Sequence, residues 1–385
     1  MSVILFDNPY RNHLFPLTKT RAVASLRMGI LTVAERWEKL TGSEVFIHTA
    51  AYLQDVYGTA TSGDHIWIDA SVIPDAKMID MMAGLENNEC WADEYGLIMG
   101  KTDLASKDFN AAASLQHFQT IHDHSAVRRI QYPWQIIQFN DELLRFDYGL
   151  VTYGRQSAPV SATNRCILPE QIFIEPGAVV EYAMLNASTG PIYIGRDAMI
   201  MEGSAIRGPF AMGNDAVLKM NSRIYGATTL GPFCMGGGEI KNSIMTGYSN
   251  KAHDGYMGDA VIGEWCNWGA GTCNSNLKNT AGVIKVWSEA ANDYLEAGYK
   301  CGVIMGDYSR TAINSSINTG SVIGISSNVF GDGLLPNIIP DFSWGCKGVT
   351  YRIDKALDDI NNWKKLKQAS ITEAERNILL HLYKK

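Results

Sequence analysis

The chain has 385 residues, enough for two or three domains and a sizeable core. It is 46% hydrophobic and 19% charged, the make-up of a soluble globular protein, and its formal net charge is −7. A mildly acidic chain is excluded as a general nucleic-acid binder, so an anionic ligand must be met by locally placed Lys or Arg. No apolar run approaches the ~18 residues of a membrane span, and the first ten residues lack a charged segment ahead of an apolar core, so no membrane partner is expected. The seven cysteines are scattered and no C-x-x-C occurs. They read as reduced thiols of a cytoplasmic protein.

Residues 1–130 read as α/β. Val3–Phe6 is a short apolar strand that runs into Asp7-Asn8-Pro9. Residues 29–40 carry apolar side chains at helical spacing (Ile30, Val33, Trp37, Leu40), and Thr41-Gly42 stops them. Glu44–His48 and Ile66–Ile68 have strand character, and a helix is predicted around Ala76–Met82. Strands alternating with helices predict a parallel sheet, which takes ligands at the carboxyl ends of its strands. Asp7 and Asp69 fall at such ends. His122-Asp123-His124 looks like a metal pair but has no further obvious ligands, and reads as an exposed loop. Residues 131–168 form a linker, with a helix over 131–150 entered after Pro133.

Residues 169–345 are dominated by a period of six. Ile194, Ile200, Ile206, Met212, Leu218, Ile224 and Leu230 form one aliphatic track. Ala198, Ser204, Ala216, Ser222, Thr228 and Cys234 form a small-residue track in phase with it, with Phe210 the exception. This is the hexapeptide signature of a parallel β-helix: large aliphatics point inward and small residues sit at the corners. The pattern is disturbed at Gly236–Gly238 and interrupted from Ser275 to Cys301 by an excursion with some helical character. It returns at Thr311, Ile317, Ile323 and Val329, with Ser315, Ser321 and Ser327 on the small track. Residues 346–385 read as helical, with a Thr372/Glu375 capping box, and are expected to cap the open end of the solenoid.

Candidate chemistry clusters where the period fails: Arg223, Lys241 in GGGEIKNS, His253 in KAHDGYMGDAVIG, and the run NWGAGTCNSN. These segments resemble the acetyltransferase half of the bifunctional enzymes that make UDP-N-acetylglucosamine. There K-A-G-H-L-T-Y-L-G-D-A-E-I-G precedes N-I-G-A-G-T-I-T-C-N-Y. The resemblance implies His253 as general base, Tyr256 and Asn267 as sugar contacts, and Lys241 with Arg223 as phosphate-binding cations. It implies that Gly269, Ala270, Gly271 and Thr272 approach acetyl-CoA through their backbone. The family's second N-Y is here Asn276-Leu277, so that tyrosine contact is lost. The chemistry is consistent with these roles. An amine attacking a thioester must shed a proton, which a histidine is suited to take. The tetrahedral oxyanion needs N–H donors, which a Gly-Ala-Gly turn can present. A sugar phosphate needs Arg and Lys.

Residues 14–29, LFPLTKTRAVASLRMG, resemble the opening of sugar nucleotidyltransferases at Pro16-Leu17-Thr18, Arg21, Leu26 and Gly29. The Gly-rich loop of that family is replaced by FDNPYRNH, and its Pro-Lys by Ala22-Val23. The resemblance implies that Lys19, Arg21 and Arg27 meet a triphosphate and that Asp7 or Asp69 holds Mg²⁺. The expectation is therefore an α/β nucleotidyltransferase-like domain, a left-handed parallel β-helix and a C-terminal helical tail. The expected ligands are a sugar-1-phosphate, a nucleoside triphosphate and acetyl-CoA, and the expected assembly is a homotrimer with sites between subunits. Two rivals are a nucleotidyltransferase for another sugar with a regulatory or trimerising β-helix, and a non-enzymatic trimeric scaffold.

Overall fold

The computed structural model of the protein describes residues 2–124 and 127–384. Six strands build the N-terminal sheet: β1 (Ser2–Phe6), β2 (Val45–His48), β3 (His65–Asp69), β4 (Glu89–Asp93), β5 (Gly96–Thr102) and β6 (Thr120–Asp123). Their order is β2-β1-β3-β5-β4-β6. β1, β2 and β3 are parallel as expected, but β5 runs antiparallel to both β3 and β4. The tight turn into Gly96 (φ +107) leaves no room for the crossover that a parallel neighbour requires. The sheet is therefore mixed. β6 is an edge strand, so His122 sits on a sheet edge rather than in a loop, with its Nε2 3.6 Å from Glu89.

Helix α1 (Val33–Thr41) starts at a Thr32/Glu35 capping box and stops at Gly42, whose φ of +62 ends the helix. Helix α2 (Ala76–Ala83) follows β3. Helix α3 (Gln135–Thr152) occupies the predicted linker but is no free spacer. Its Asn140 and Asp147 are fully buried. Asp147 receives Arg36 at 2.7 and 2.8 Å and the N–H groups of Ile30 and Leu31. The Asn140 amide donates to the Ala227 carbonyl at 2.8 Å, across to the solenoid.

The solenoid begins at Arg165 and has three faces. One carries six strands from Arg165–Ile167 to Tyr256–Gly258, and the second carries nine from Ile172–Ile174 to Ile338–Ile339. The third runs through Val179–Val180, Met199–Ile200, Val217–Leu218, Met235–Gly236 and Asn250–Lys251. Both six-residue tracks are buried, and Ile194, Met212 and Leu230 stack in register on successive coils. Leu230 then pairs with Met245, so the coil containing the three glycines is a short one.

The second face is covered by the N-terminal domain and α3; Thr229 on it donates to the Gly29 carbonyl at 2.9 Å. The excursion helps to hold this contact. It is not helical but an antiparallel hairpin, Ile284–Ser288 with Asp293–Gly298. Its Glu-Ala-Ala-Asn tip resembles helix locally, but buried Ile284 and Val286 alternate with exposed Lys285 and part-buried Trp287 at strand period. Ile284, Val286 and Ala297 join one core with Leu14, Leu17, Ile136 and Ile137.

Helices α4 (Ile353–Lys365) and α5 (Glu373–Tyr383) lie along the flank of the solenoid rather than over its end. The Thr372/Glu375 capping box forms as expected. The reason for the flank position is a column of corner residues in the left-handed backbone region: Phe233, Tyr248, Trp265, Tyr308 and Phe342. Their rings rise at the strand spacing, with Phe233–Tyr248 at 4.9 Å and Tyr248–Trp265 at 4.3 Å. This apolar ridge is what the tail covers. Lys364 lies 5.0 Å over Trp265, and Tyr383 packs 5.1 Å from Phe342.

Candidate active site on the open solenoid face

The first face remains open to solvent along much of its length. Inward positions on its strands hold Ile224, Ile240 and Met257, so the alternate residues point outward. Register places Arg223 beside Glu239 and Glu239 beside Tyr256, and places Tyr225 beside Lys241. Arg223, Lys241 and Tyr256 are thereby gathered on one surface. The Arg223 Nε is 3.8 Å from Glu239, and both side chains stay accessible, so the pair holds the guanidinium only loosely. The Lys241 ammonium lies 5.9 Å above the Tyr225 ring. Tyr225 donates to Glu239 at 2.5 Å; that bond, and then burial, push its phenol up to about 12. Burial raises the Tyr256 phenol to about 12, so both phenols remain hydrogen-bond donors near neutral pH.

Asp259 receives the amides of Asn242 (2.6 Å) and Asn276, and Asn276 also bonds Tyr256. Tyr225, Glu239 and Asp259 have no role in the sequence reading, and Asn276 enters there only through the lost Asn-Tyr pair. Counting coils in register would have found the first two, because each alternates with a chosen cation on the same strand. Above this face a groove of about 840 Å³ is lined by Arg165, Met184, Arg207, Arg223 and Tyr225.

His253 is exposed at the corner leading into Tyr256, beside the open face. Asn267 lies on the third face, between Asn250 and Arg310. The Gly-Ala-Gly turn differs from the expectation. The Gly269 N–H donates to Thr311 Oγ1, and the Gly271 N–H to the Asp254 carbonyl, both at 2.9 Å. These two donors are therefore committed to the solenoid and are not free for an oxyanion. The glycines have a packing cause. A Cβ on Gly269 would lie 2.4 Å from the Ala312 carbonyl oxygen, and Gly271 has φ +73.

The cations of the N-terminal loop face the solenoid. Lys19 pairs with Glu289 of the hairpin (2.6 Å) and with Asp341. Arg21 pairs with Asp307 at 2.5 Å and Glu264 at 2.8 Å, and Thr20 also donates to Asp307. Arg27 reaches the Thr246 carbonyl (3.2 Å) and Glu35 (3.3 Å). Lys19 also borders a cavity of about 540 Å³ walled by Phe15, Tyr52, Trp287 and Tyr383.

Asp7 and Asp69 stand at the carboxyl ends of β1 and β3, as expected. Both are buried, and burial pushes both carboxyls above their ordinary value. Asp7 accepts from Arg11 (3.0 Å), Thr49 (2.6 Å) and the Val23 N–H (2.9 Å). Asp69 accepts from Arg129, Asn8 (2.8 Å) and the Ser71 N–H (2.8 Å). The cavity beside Asn8, Ser71 and Arg129 is about 10 Å³. Mg²⁺ needs six oxygens at octahedral positions and keeps several waters. Two carboxylates saturated by arginines and amides, with no room for that shell, do not fit it. Among the described residues no three His, Cys, Asp or Glu side chains group to hold a metal, and no helix is long and apolar enough to cross a membrane. The seven cysteines are free thiols.

Comparison with known proteins agrees with the two-part architecture. Residues 3–156 match the family model described as sugar nucleotidyl transferase. The chain is 37% identical over 86 residues to the bifunctional protein GlmU of Methanocaldococcus jannaschii, covering 22% of this chain and 21% of that protein. It is 34% identical over 93 residues to a bifunctional sugar-1-phosphate nucleotidylyltransferase/acetyltransferase of Sulfurisphaera tokodaii, covering 24% and 23%. It is 28% identical over 181 residues to GlmU of a Synechococcus strain, covering 46% and 33%. The chain thus spans between a fifth and a third of the length of these relatives. The chain thus joins an α/β domain that matches the sugar nucleotidyl transferase family model over residues 3–156 to a hexapeptide solenoid, and in both respects it is similar to GlmU.

Proposed function

We propose that the open solenoid face transfers an acetyl group from acetyl-CoA to the amine of glucosamine-1-phosphate, and that the N-terminal domain transfers a nucleotidyl group, from UTP, to the acetylated sugar phosphate with release of pyrophosphate. The observation that carries the first half is the gathering of Arg223, Lys241 and Tyr256 on one accessible surface whose adjoining corner bears His253. The two cations bind the phosphate, and Tyr256 donates to a sugar hydroxyl. His253 takes the proton as the amine attacks the thioester carbonyl; the C–N bond forms and the C–S bond breaks. The proton then passes to the departing CoA thiolate, leaving amide and free thiol. The second half rests on the family match over residues 3–156. Lys19 and Arg21 can serve it only when they leave Glu289, Asp341, Glu264 and Asp307. Exposed Ile167 and Met184 on the open face support assembly into a homotrimer through that side.

The test is incubation with acetyl-CoA and glucosamine-1-phosphate. Thiol release that is lost in His253→Ala supports the acetyl transfer, and its absence from the wild-type protein refutes it. Pyrophosphate release from UTP and N-acetylglucosamine-1-phosphate tests the other half; silence there with an active solenoid leaves an acetyltransferase. Silence in both reactions with a trimeric mass by light scattering would favour a scaffold.

A further inference from the structure

Lys251 occupies a position where a lysine is out of place. It points into the solenoid on the third face, in the ladder that earlier coils fill with Val180, Ile200 and Leu218. It is 1% exposed. Its ammonium donates to two carbonyls, Gly237 at 2.7 Å and His253 at 2.9 Å. No carboxylate lies within ion-pair distance of it among the described residues. A buried cation held by neutral acceptors is unfavourable for a core, where an aliphatic side chain would serve better. Such a cost is characteristic of a functional position.

Two of the three glycines that disturb the hexad, Gly237 and Gly238, belong to the same construction. A Cβ on Gly237 would come within 2.4 Å of the Ala252 carbonyl oxygen and 3.2 Å of the His253 N. A Cβ on Gly238 would stand 2.8 Å from Asp254 Cα, 2.9 Å from the His253 carbonyl oxygen and 3.1 Å from Lys251 Nζ. The Gly237-Gly238 pair is thus a seat without side chains, on which the corner from Lys251 to Asp254 rests, whereas a Cβ on Gly236 would meet the core side chains Leu230 and Leu218 instead. Lys251 fastens that corner from within, tying the peptide of His253 to the coil below.

We infer that Lys251 is a positioning residue: its buried ammonium clamps the His253 peptide to the glycine seat and so fixes the imidazole relative to the substrate amine. This rests on the reading of His253 as the base of acetyl transfer. Displacing a reacting group by about 1 Å lowers the rate ~100-fold without changing what binds. Lys251→Met keeps the stem and removes the clamp. It is expected to lower kcat ~100-fold, with KM for acetyl-CoA and for glucosamine-1-phosphate within about threefold of wild type and an unchanged trimer or monomer mass. A purely structural role would lower the folded fraction and leave kcat per folded molecule unchanged.

Lys251→Met with wild-type kcat, beside an inactive His253→Ala, overturns the inference while leaving the acetyl-transfer reading intact. A wild-type protein that releases no thiol overturns both. If Lys251→Met does not fold, Gly238→Ala decides the question, because its Cβ pushes on the His253 carbonyl with the lysine still present. A lowered kcat at unchanged KM supports the clamp, and an unchanged kcat overturns it.

Discussion

Replacing Arg21 by alanine separates two roles that the same guanidinium could have. In the folded chain it bridges the N-terminal loop to Asp307 and Glu264 of the solenoid. Burial disfavours its charge, but Asp307 and then Glu264 outweigh burial and hold its pKa well above the ordinary value. Asp307 is 3% exposed, whereas Glu264 is 32% exposed and reaches water. Removing the partner of a buried carboxylate costs about 3–5 kcal/mol. Thr20 and the Glu264 N–H still donate to Asp307, which puts the loss near the lower end, and the wet Glu264 adds less than ~1 kcal/mol. Arg21→Ala is therefore expected to lose about 3 kcal/mol of stability, read as a lowered urea midpoint of the full chain. Arg21→Met with Asp307→Asn should recover part of it, because no unpaired buried charge remains. A loss below ~1 kcal/mol, with a raised KM for UTP, would refute the bridge and return Arg21 to the triphosphate.

Three further outcomes follow from particular contacts. Burial pulls the Lys251 ammonium down from 10.5 to about 8, against the opposing fields of Cys273 and Asp254. Between those values the unfolded chain holds a proton that the folded chain has released. Wild type should therefore gain stability on Lys251→Met as pH rises from 8 to 10.5, by up to ~1.4 kcal/mol per unit; a flat difference refutes the buried ammonium. Gly269→Ala should lose about 1–3 kcal/mol, because the Ala312 carbonyl it meets is backbone and cannot swing away; an unchanged melting temperature would refute the close approach. Trp265→Ala breaks the aromatic column and should lose about 3–5 kcal/mol, with limited proteolysis cutting first between α4 and α5; wild-type protection of that segment would count against the ridge.

The solenoid was legible because every coil repeats one demand. Ile194 through Leu230 must fill the interior and Ser204 or Ser222 must fit a corner, so the period is written directly into side-chain size. The open-face cations were legible only through their motif. What brings Arg223 to Glu239 is coil register, and one shortened coil shifts that register. Lys19 and Arg21 illustrate a deeper limit. A basic loop has the same residues whether it meets a phosphate or a carboxylate, and Asp307 and Asp341 lie far along the chain. The hairpin at 284–298 resembles helix in sequence because the composition of its tip outweighs its alternation. The flank position of the tail depends on aromatics in a backbone region that local propensity argues against.

The contacts between the two halves also order the chain in time. The N-terminal domain emerges before the solenoid during synthesis, with Leu14, Leu17 and the Lys19–Arg21 loop formed before the residues that receive them. Their cover comes from Ile284 and Val286, their counter-charges from Glu264, Glu289, Asp307 and Asp341, and the ring that stacks on Tyr52 at 4.5 Å is His381. The first domain thus carries an unsatisfied apolar and basic surface until the solenoid, its hairpin and α5 have been made. Release of a truncated product ending before the hairpin would leave that surface bare, which makes chaperone capture of such a fragment, rather than a stable free domain, the consequence of this architecture.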